Sequence, residues 1–148
     1  MSRSGYDDSY DNWRLIRYRG AVASAIRGKR GQAFLRELLA ALDALPEKRL
    51  IGESFVADGG VCALGAVCAA RGVEPPALDD DDYEDETEAG ALAEEPADLL
   101  GISQALAAEV MHENDRWPRF ARGPEAPEHR WTRMRAWVAD QILPEVGK

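Results

Sequence analysis

The sequence predicts a mainly α-helical fold: a single compact domain of five to six helices with one small β-hairpin near residues 54-62. Three observations carry that prediction. Between residues 32 and 45, Phe34, Leu35, Leu38, Leu39, Leu42 and Leu45 recur at i, i+3, i+4 spacing, which lines apolar side chains along one helix face. Helix-ending residues, Pro46, Gly72 and Pro144, close the helical stretches. β-Tending residues gather around Asp58-Gly59-Gly60, enough for a hairpin that needs helices to cover it.

Residues 1–11 are polar and read as a flexible tail ahead of the domain at 12–148. A first helix is expected over 12–27, with Trp13, Ile16, Ala23 and Ile26 near helical spacing and Gly20 weakening it. Residues 28–31, Gly-Lys-Arg-Gly, read as a basic break before the helix at 32–45. After the hairpin, Val61 or Cys62 opens a helix that ends at Arg71-Gly72, where glycine suits a left-handed cap. An acidic loop or insertion follows at about 74–96. Helical pattern resumes at Pro96-Ala-Asp-Leu-Leu100, and Ser103 caps a further helix running to about Asn114. Residues 116–127, with Pro118, Pro124 and Pro127, read as a connector. The last helix runs from Pro127 or Glu128 to about Leu143 with Trp131, Met134, Val138 and Ile142 on its apolar face.

A chain of 148 residues has the length of one domain, and 45% hydrophobic residues suffice for a core. No positively charged start leads into an apolar run of signal-peptide length, and no run is long enough to cross a bilayer. The expected location is therefore the cytoplasm. Cys62 and Cys68, six apart on one helix, point about 120° apart with about 9 Å of axial rise, so they do not pair as a disulfide.

Charge is distributed unevenly. Residues 1–50 hold 10 Lys/Arg against 6 Asp/Glu, residues 51–115 hold 1 against 17, and residues 116–148 hold 7 against 4. A centre of net charge −16 repels nucleic-acid phosphate and attracts basic surfaces. No direct nucleic-acid partner and no membrane partner is expected. The basic clusters, Arg14, Arg17 and Arg19 with Arg27, Lys29 and Arg30 near one end and Arg130, Arg133 and Arg135 near the other, are read as docking on that centre, with Arg133 and Trp137 at i, i+4 placed to stack.

Cys62 begins a helix, where unpaired N–H groups favour a thiolate. A nucleophile also needs a base, and the chain offers His112 and His129. The order Cys62, His112, Asn114 echoes papain-like enzymes, but His112 and Asn114 sit about 200° apart on one helix, so that Asn does not orient that His. The prevailing reading of Cys62, Ala63, Ala66, Ala69 and Ala70 is close helix packing. The Cys and His spacings fit no zinc motif, and an EF-hand loop counted from Asp79 puts Glu84 where glycine is required. No metal and no cofactor is expected. The stretch 95–114 has helix-turn-helix spacing, with Ala97, Gly101 and Ala107, but its second helix carries Glu109, Glu113 and Asp115 and no Lys or Arg.

The elements Gly-x-Cys-Ala-Leu-Gly-Ala, Asn-Asp and Arg-Trp, in that order, resemble a group of uncharacterised small proteins of bacteria and their phages. Gly60, Cys62, Leu64, Gly65, Ala66, Asn114, Asp115 and Trp131 carry the resemblance, over about residues 12–142. It implies a phage or mobile-element setting and brings no activity with it. Within the pattern, Asn114 in a left-handed helix-end position and Asp115 accepting turn N–H groups are expected to pack on the Cys62 helix start. Gly60, Cys62, Asn114 and Asp115 would then form a structural corner.

The function expected from the sequence is non-enzymatic: an acidic module that binds a basic surface, such as that of a nucleic-acid-binding protein or complex, as a phage-type inhibitor or adaptor would. The partner-binding residues are Asp79, Asp80, Asp81, Asp82, Tyr83, Glu84, Asp85, Glu86 and Glu88, a carboxylate strip able to mimic a phosphate backbone. A thiol-dependent enzyme using Cys62 and a helix-turn-helix regulator using residues 95–114 are the alternatives.

Overall fold

The computed structural model describes residues 10–52, 54–57, 59–75, 94–117 and 123–144. Among them are six helices and one two-stranded antiparallel sheet, in the order α1 (Tyr10–Arg27), α2 (Lys29–Ala44), β1 (Val56–Ala57), β2 (Gly60–Val61), α3 (Ala63–Arg71), α4 (Glu94–Leu100), α5 (Gln104–Asp115) and α6 (Pro127–Gln141). The mainly helical class with one small hairpin is therefore the architecture of this chain. The tail at 1–9, most of the expected insertion (76–93) and part of the connector (118–122) lie outside the described residues.

α2 is built as its periodicity requires. Phe34, Leu35, Leu38, Ala41 and Leu42 are buried, with Leu39 and Leu45 on the margins of the same face. Its start differs from the expected break at 28–31. Only Gly28 leaves helical geometry, and Lys29 already begins α2. Gly31 lies inside the helix because α1 passes too close for a side chain: a Cβ there would sit 1.7 Å from the Ala25 carbonyl oxygen. Buried Gln32 then ties two helix ends together. Its Nε2 donates to the carbonyls of Ile26 (2.7 Å) and Gln141 (3.0 Å), and its Oε1 accepts from the Leu143 N–H (2.8 Å). Those carbonyls lack intrahelical partners, so one side chain closes both α1 and α6.

α1 corrects the sequence reading of its apolar face. Trp13 and Ile16 are 58% and 44% exposed, and Ala23 is exposed too. The inward contacts come from Val22, Ala25 and Ile26, with Tyr18 donating to the Glu109 carboxylate of α5 at 3.4 Å. Periodicity shows which residues share a helix face; it does not show which face turns inward.

The hairpin pairs Val56 with Val61 and Ala57 with Gly60, with Gly59 at φ 79° in the connection. A positive φ there is the conformation that favours glycine. α3 follows at once, with Cys62 as its N-cap, and Gly72 closes it at φ 68°. The Val73 N–H then reaches the Cys68 carbonyl at 3.0 Å. Gly65 brings α3 against the hairpin: a Cβ would stand 2.3 Å from the Phe55 carbonyl oxygen. The small residues of α3 are thus a condition of close packing. Ser103 caps α5, its Oγ accepting the Leu106 N–H at 3.1 Å.

One core joins these elements. Leu35, Leu38 and Leu42 of α2 meet Leu64 and Val67 of α3, Leu106 and Val110 of α5, and Met134 and Val138 of α6, all at most 1% exposed. Each such side chain contributes about 1.5–3 kcal/mol of burial. Trp131 borders this core, and its indole N–H donates to the Leu42 carbonyl at 3.0 Å.

Candidate functional site

The polar heart of the domain lies where the C-terminus of α5, the N-termini of α3 and α6, and the segment around residue 51 converge. α5 arrives with Asn114 buried in its last turn. The Asn114 amide accepts the Ala63 N–H through Oδ1 at 3.0 Å and donates through Nδ2 to the Ile51 carbonyl at 2.9 Å and to Asp115 Oδ1 at 2.9 Å. One side chain thus satisfies a first-turn donor of α3, an acceptor of the segment that leads into the hairpin, and a neighbouring carboxylate. The backbone departs from the expectation of a left-handed Asn: Asn114 and Asp115 are both helical, and Arg116 leaves in an extended conformation at φ −67°.

Cys62 sits on the other side of this junction, 7% exposed, with Sγ accepting the Gly65 N–H at 3.4 Å. Burial pushes its thiol up to about 12, with the Asp115 charge adding to the rise and the Gly65 N–H opposing it. The helix N-terminus therefore does not produce a thiolate here, because desolvation outweighs it. Asn114 is engaged with Ala63, Ile51 and Asp115 rather than with His112, which is exposed on α5. Gly60 is buried in β2, where a Cβ would stand 2.6 Å from Ile51 Cγ2.

Beside the corner lies a group that the sequence reading passed over. Glu125 belongs to the stretch read as a connector, yet its side chain is 0% exposed. Arg133 grips it twice, Nε to Oε2 at 2.8 Å and Nη2 to Oε1 at 2.8 Å. Arg130 Nε lies 3.2 Å from Oε1, and His129 Nδ1 lies 2.7 Å from Oε2. Burial raises the Glu125 pKa, but hydrogen bonds from Arg133 and His129 and the charges of Arg133 and Arg130 outweigh it, holding the carboxyl below its usual range.

Both arginines also serve α5. Arg133 donates to the carbonyls of Glu113 (2.5 Å) and Asn114 (3.1 Å), and Arg130 donates to that of Asn114 (3.0 Å). Cations there satisfy the orphan carbonyls and the negative end of the helix dipole. Trp117 completes the rim, its indole N–H on the Gly123 carbonyl at 2.9 Å and its ring edge-on to His129 at 5.5 Å. The spacing Glu125, His129, Arg133, four residues apart each time, was the one sequence signal that could have found the cluster.

This arrangement can position backbone; it offers little for chemistry. Every Glu125 oxygen already has a cationic partner, and among the described residues no group of three His, Cys, Asp or Glu is placed to hold a metal ion.

The basic clusters meet the expectation in part. Arg130 and Arg133 take Glu125 as their buried carboxylate partner and also dock on the end of the acidic centre, at the Glu113 and Asn114 carbonyls and near the charges of Glu113 and Asp115, while Arg135 pairs with Asp43 at 2.6 Å. Arg133 is drawn to Glu125 rather than to Trp137, because a buried bidentate carboxylate outweighs a stacked ring. Among the described residues Arg17, Arg19, Arg27, Lys29 and Arg30 have no carboxylate partner.

The helix-turn-helix stretch forms α4 and α5 around Gly101 at φ 72°. α5 is packed by α1, α3, α4 and α6 and exposes only Gln104, His112 and Asp115. The nine partner-binding positions from Asp79 to Glu88 lie outside the described residues. No helix among the described residues is long and apolar enough to cross a membrane. Compared with protein-family models, curated proteins and solved structures, the chain has no match.

Proposed function

We propose that this protein is a non-catalytic binding module whose acidic centre engages a basic protein surface, of the kind that nucleic-acid-binding proteins present. The observation that carries this reading is where the arginines go. Arg133 and Arg135 take Glu125 and Asp43 as their carboxylate partners, and Arg71, the one Lys/Arg in residues 51–115, pairs with Glu37 outside that stretch, so its 17 Asp/Glu are not balanced from within it. Eight of those carboxylates fall in 79–88 around Tyr83, a density comparable to that of a phosphate strand. Such a strip steers a cationic partner from beyond contact distance. The sequence offers Tyr83 or Trp117 as an apolar anchor for such a contact, and the engagement of Trp117 with Gly123 and His129 favours Tyr83. A phage-type inhibitor or adaptor is one concrete form.

Weighing against a thiol-dependent enzyme is the burial of Cys62, whose thiol is pushed up to about 12. Weighing against a DNA-reading helix is α5, with four helices packed on it and no Lys or Arg. The test is capture of nucleic-acid-binding proteins from lysate on immobilised chain at ~50 mM salt, where screening is weak. Wild type retains them and the Asp79→Asn, Asp80→Asn, Asp81→Asn, Asp82→Asn variant does not. Equal capture by both refutes the proposal.

A further inference from the structure

The outward face of α4 joins carboxylates to a large apolar side chain. The helix turns Pro96, Ala97 and Leu100 inward, where all three are buried. At 100° per residue, Glu94, Asp98, Glu95 and Leu99 follow one another across the opposite arc of about 140°, and all four are exposed. Leu99 is 40% exposed.

That face is presented rigidly. The Ile102 N–H donates to the Ala97 carbonyl at 3.0 Å, and Arg71 Nη1 donates to the Leu100 carbonyl at 3.1 Å. The second contact ties the end of α4 to the end of α3, where Val73 is 37% exposed and Glu74 is exposed too. Arg71 itself is paired with Glu37 of α2. Glu94, Glu95 and Asp98 take no cation among the described residues.

Charge complementarity selects the occupant. An acidic surface is repelled by these carboxylates and by the net charge of −9, and a basic surface is attracted by both. A segment that is cationic throughout leaves Leu99 in water, whereas one with an apolar side chain among its cations covers it. We propose that the outward face of α4, with Val73 at its end, is a docking surface for a basic amphipathic segment of a partner protein. Cations of that segment meet Glu94, Glu95 and Asp98, and its apolar side packs on Leu99. The inference rests on the acidic centre being the binding surface, and it adds the folded residues that choose among basic partners.

Fluorescence anisotropy with two labelled probes of about 14 residues tests it: a helical peptide with Leu along one face and Lys elsewhere, and an oligolysine. At ~50 mM salt wild type holds the Leu/Lys peptide more tightly than oligolysine, and at ~500 mM salt it releases oligolysine first. Leu99→Gln weakens the Leu/Lys peptide by about threefold to tenfold and leaves oligolysine unchanged. Glu95→Lys with Asp98→Lys weakens both probes. These positions are exposed, so the variants keep the stability of wild type.

Binding of the Leu/Lys peptide that is indifferent to Leu99→Gln, or to the reversal at Glu95 and Asp98, overturns the inference. The chain with Asp79, Asp80, Asp81 and Asp82 changed to Asn separates the two claims. It weakens both probes to the same extent when both claims hold. Sensitivity to those four changes without sensitivity to Leu99→Gln overturns only the α4 surface. Sensitivity to Leu99→Gln without sensitivity to the four changes overturns only the role of residues 79–88.

Discussion

Replacing Glu125 by Gln removes one negative charge from a fully buried side chain and leaves two partly exposed guanidinium groups facing each other. Glu125 receives Arg133 at 2.8 Å through each oxygen, Arg130 at 3.2 Å and His129 at 2.7 Å. Breaking a buried pair from one side costs about 3–5 kcal/mol. The arginines keep some access to water, 12% and 24% exposed, and retain the Asn114 carbonyl, so the lower end applies, about 3 kcal/mol. For a domain of this size that is a fall in Tm of roughly 6–12 °C.

The pH dependence gives the effect a signature. Burial raises the Glu125 pKa, and Arg133, His129 and Arg130 lower it further than burial raises it, so its folded value lies below the ordinary 4.5. A carboxyl with a depressed pKa contributes stability that is fully present above its unfolded value and is lost as pH falls through its folded value. The gap between wild type and Glu125→Gln in urea denaturation is therefore constant from pH 7 to about pH 5 and narrows below about 4.5. A variant within about 0.5 kcal/mol of wild type at pH 7, or a gap that widens in acid, refutes the reasoning.

Packing at the corner and at the α1–α2 junction gives three further expected outcomes. Gly65→Ala and Gly31→Ala drive a Cβ against backbone oxygens at 2.3 and 1.7 Å, so each lowers stability by about 1–3 kcal/mol or more, whereas Gly20→Ala, with nothing within 4 Å, does not; thermal melts distinguish them. Asn114→Ala strands the Ala63 N–H and the Ile51 carbonyl and costs about 2–4 kcal/mol in urea denaturation; an unchanged midpoint would show that the corner is not held by that amide. Cys62, buried and with its thiol pushed up to about 12, reacts with iodoacetamide at pH 8 at least about tenfold more slowly than in denaturant; equal rates would show an accessible thiolate.

The parts of this fold that were legible in the sequence are the local ones. The α2 stripe, the Ser103 cap and the Gly72 terminus each depend on residues within one or two turns, and periodicity and capping chemistry report them. Gln32 was not legible, because its partners Gln141 and Leu143 are more than a hundred residues away. Gly31 read as a break because a glycine at a helix start looks the same whether it ends a helix or admits a neighbour. Glu125 was hidden by Pro124 and Pro127, which mark a loop and say nothing of a buried carboxylate within it. In α1 the spacing of Trp13, Ile16, Ala23 and Ile26 marks a helix but not its inward face: of these four Ile26 packs on the core, beside Val22 and Ala25, while Trp13, Ile16 and Ala23 are exposed.

The proposed role of residues 79–88 is to bind a basic protein surface. It is tested most directly by the salt dependence of capture for the wild-type chain and for the chain with Asp79, Asp80, Asp81 and Asp82 changed to Asn. Strong retention of basic nucleic-acid-binding proteins is expected of wild type at ~50 mM salt, with loss by ~500 mM and little retention by the neutralised chain at either. Retention that is indifferent to both salt and the four substitutions would contradict it.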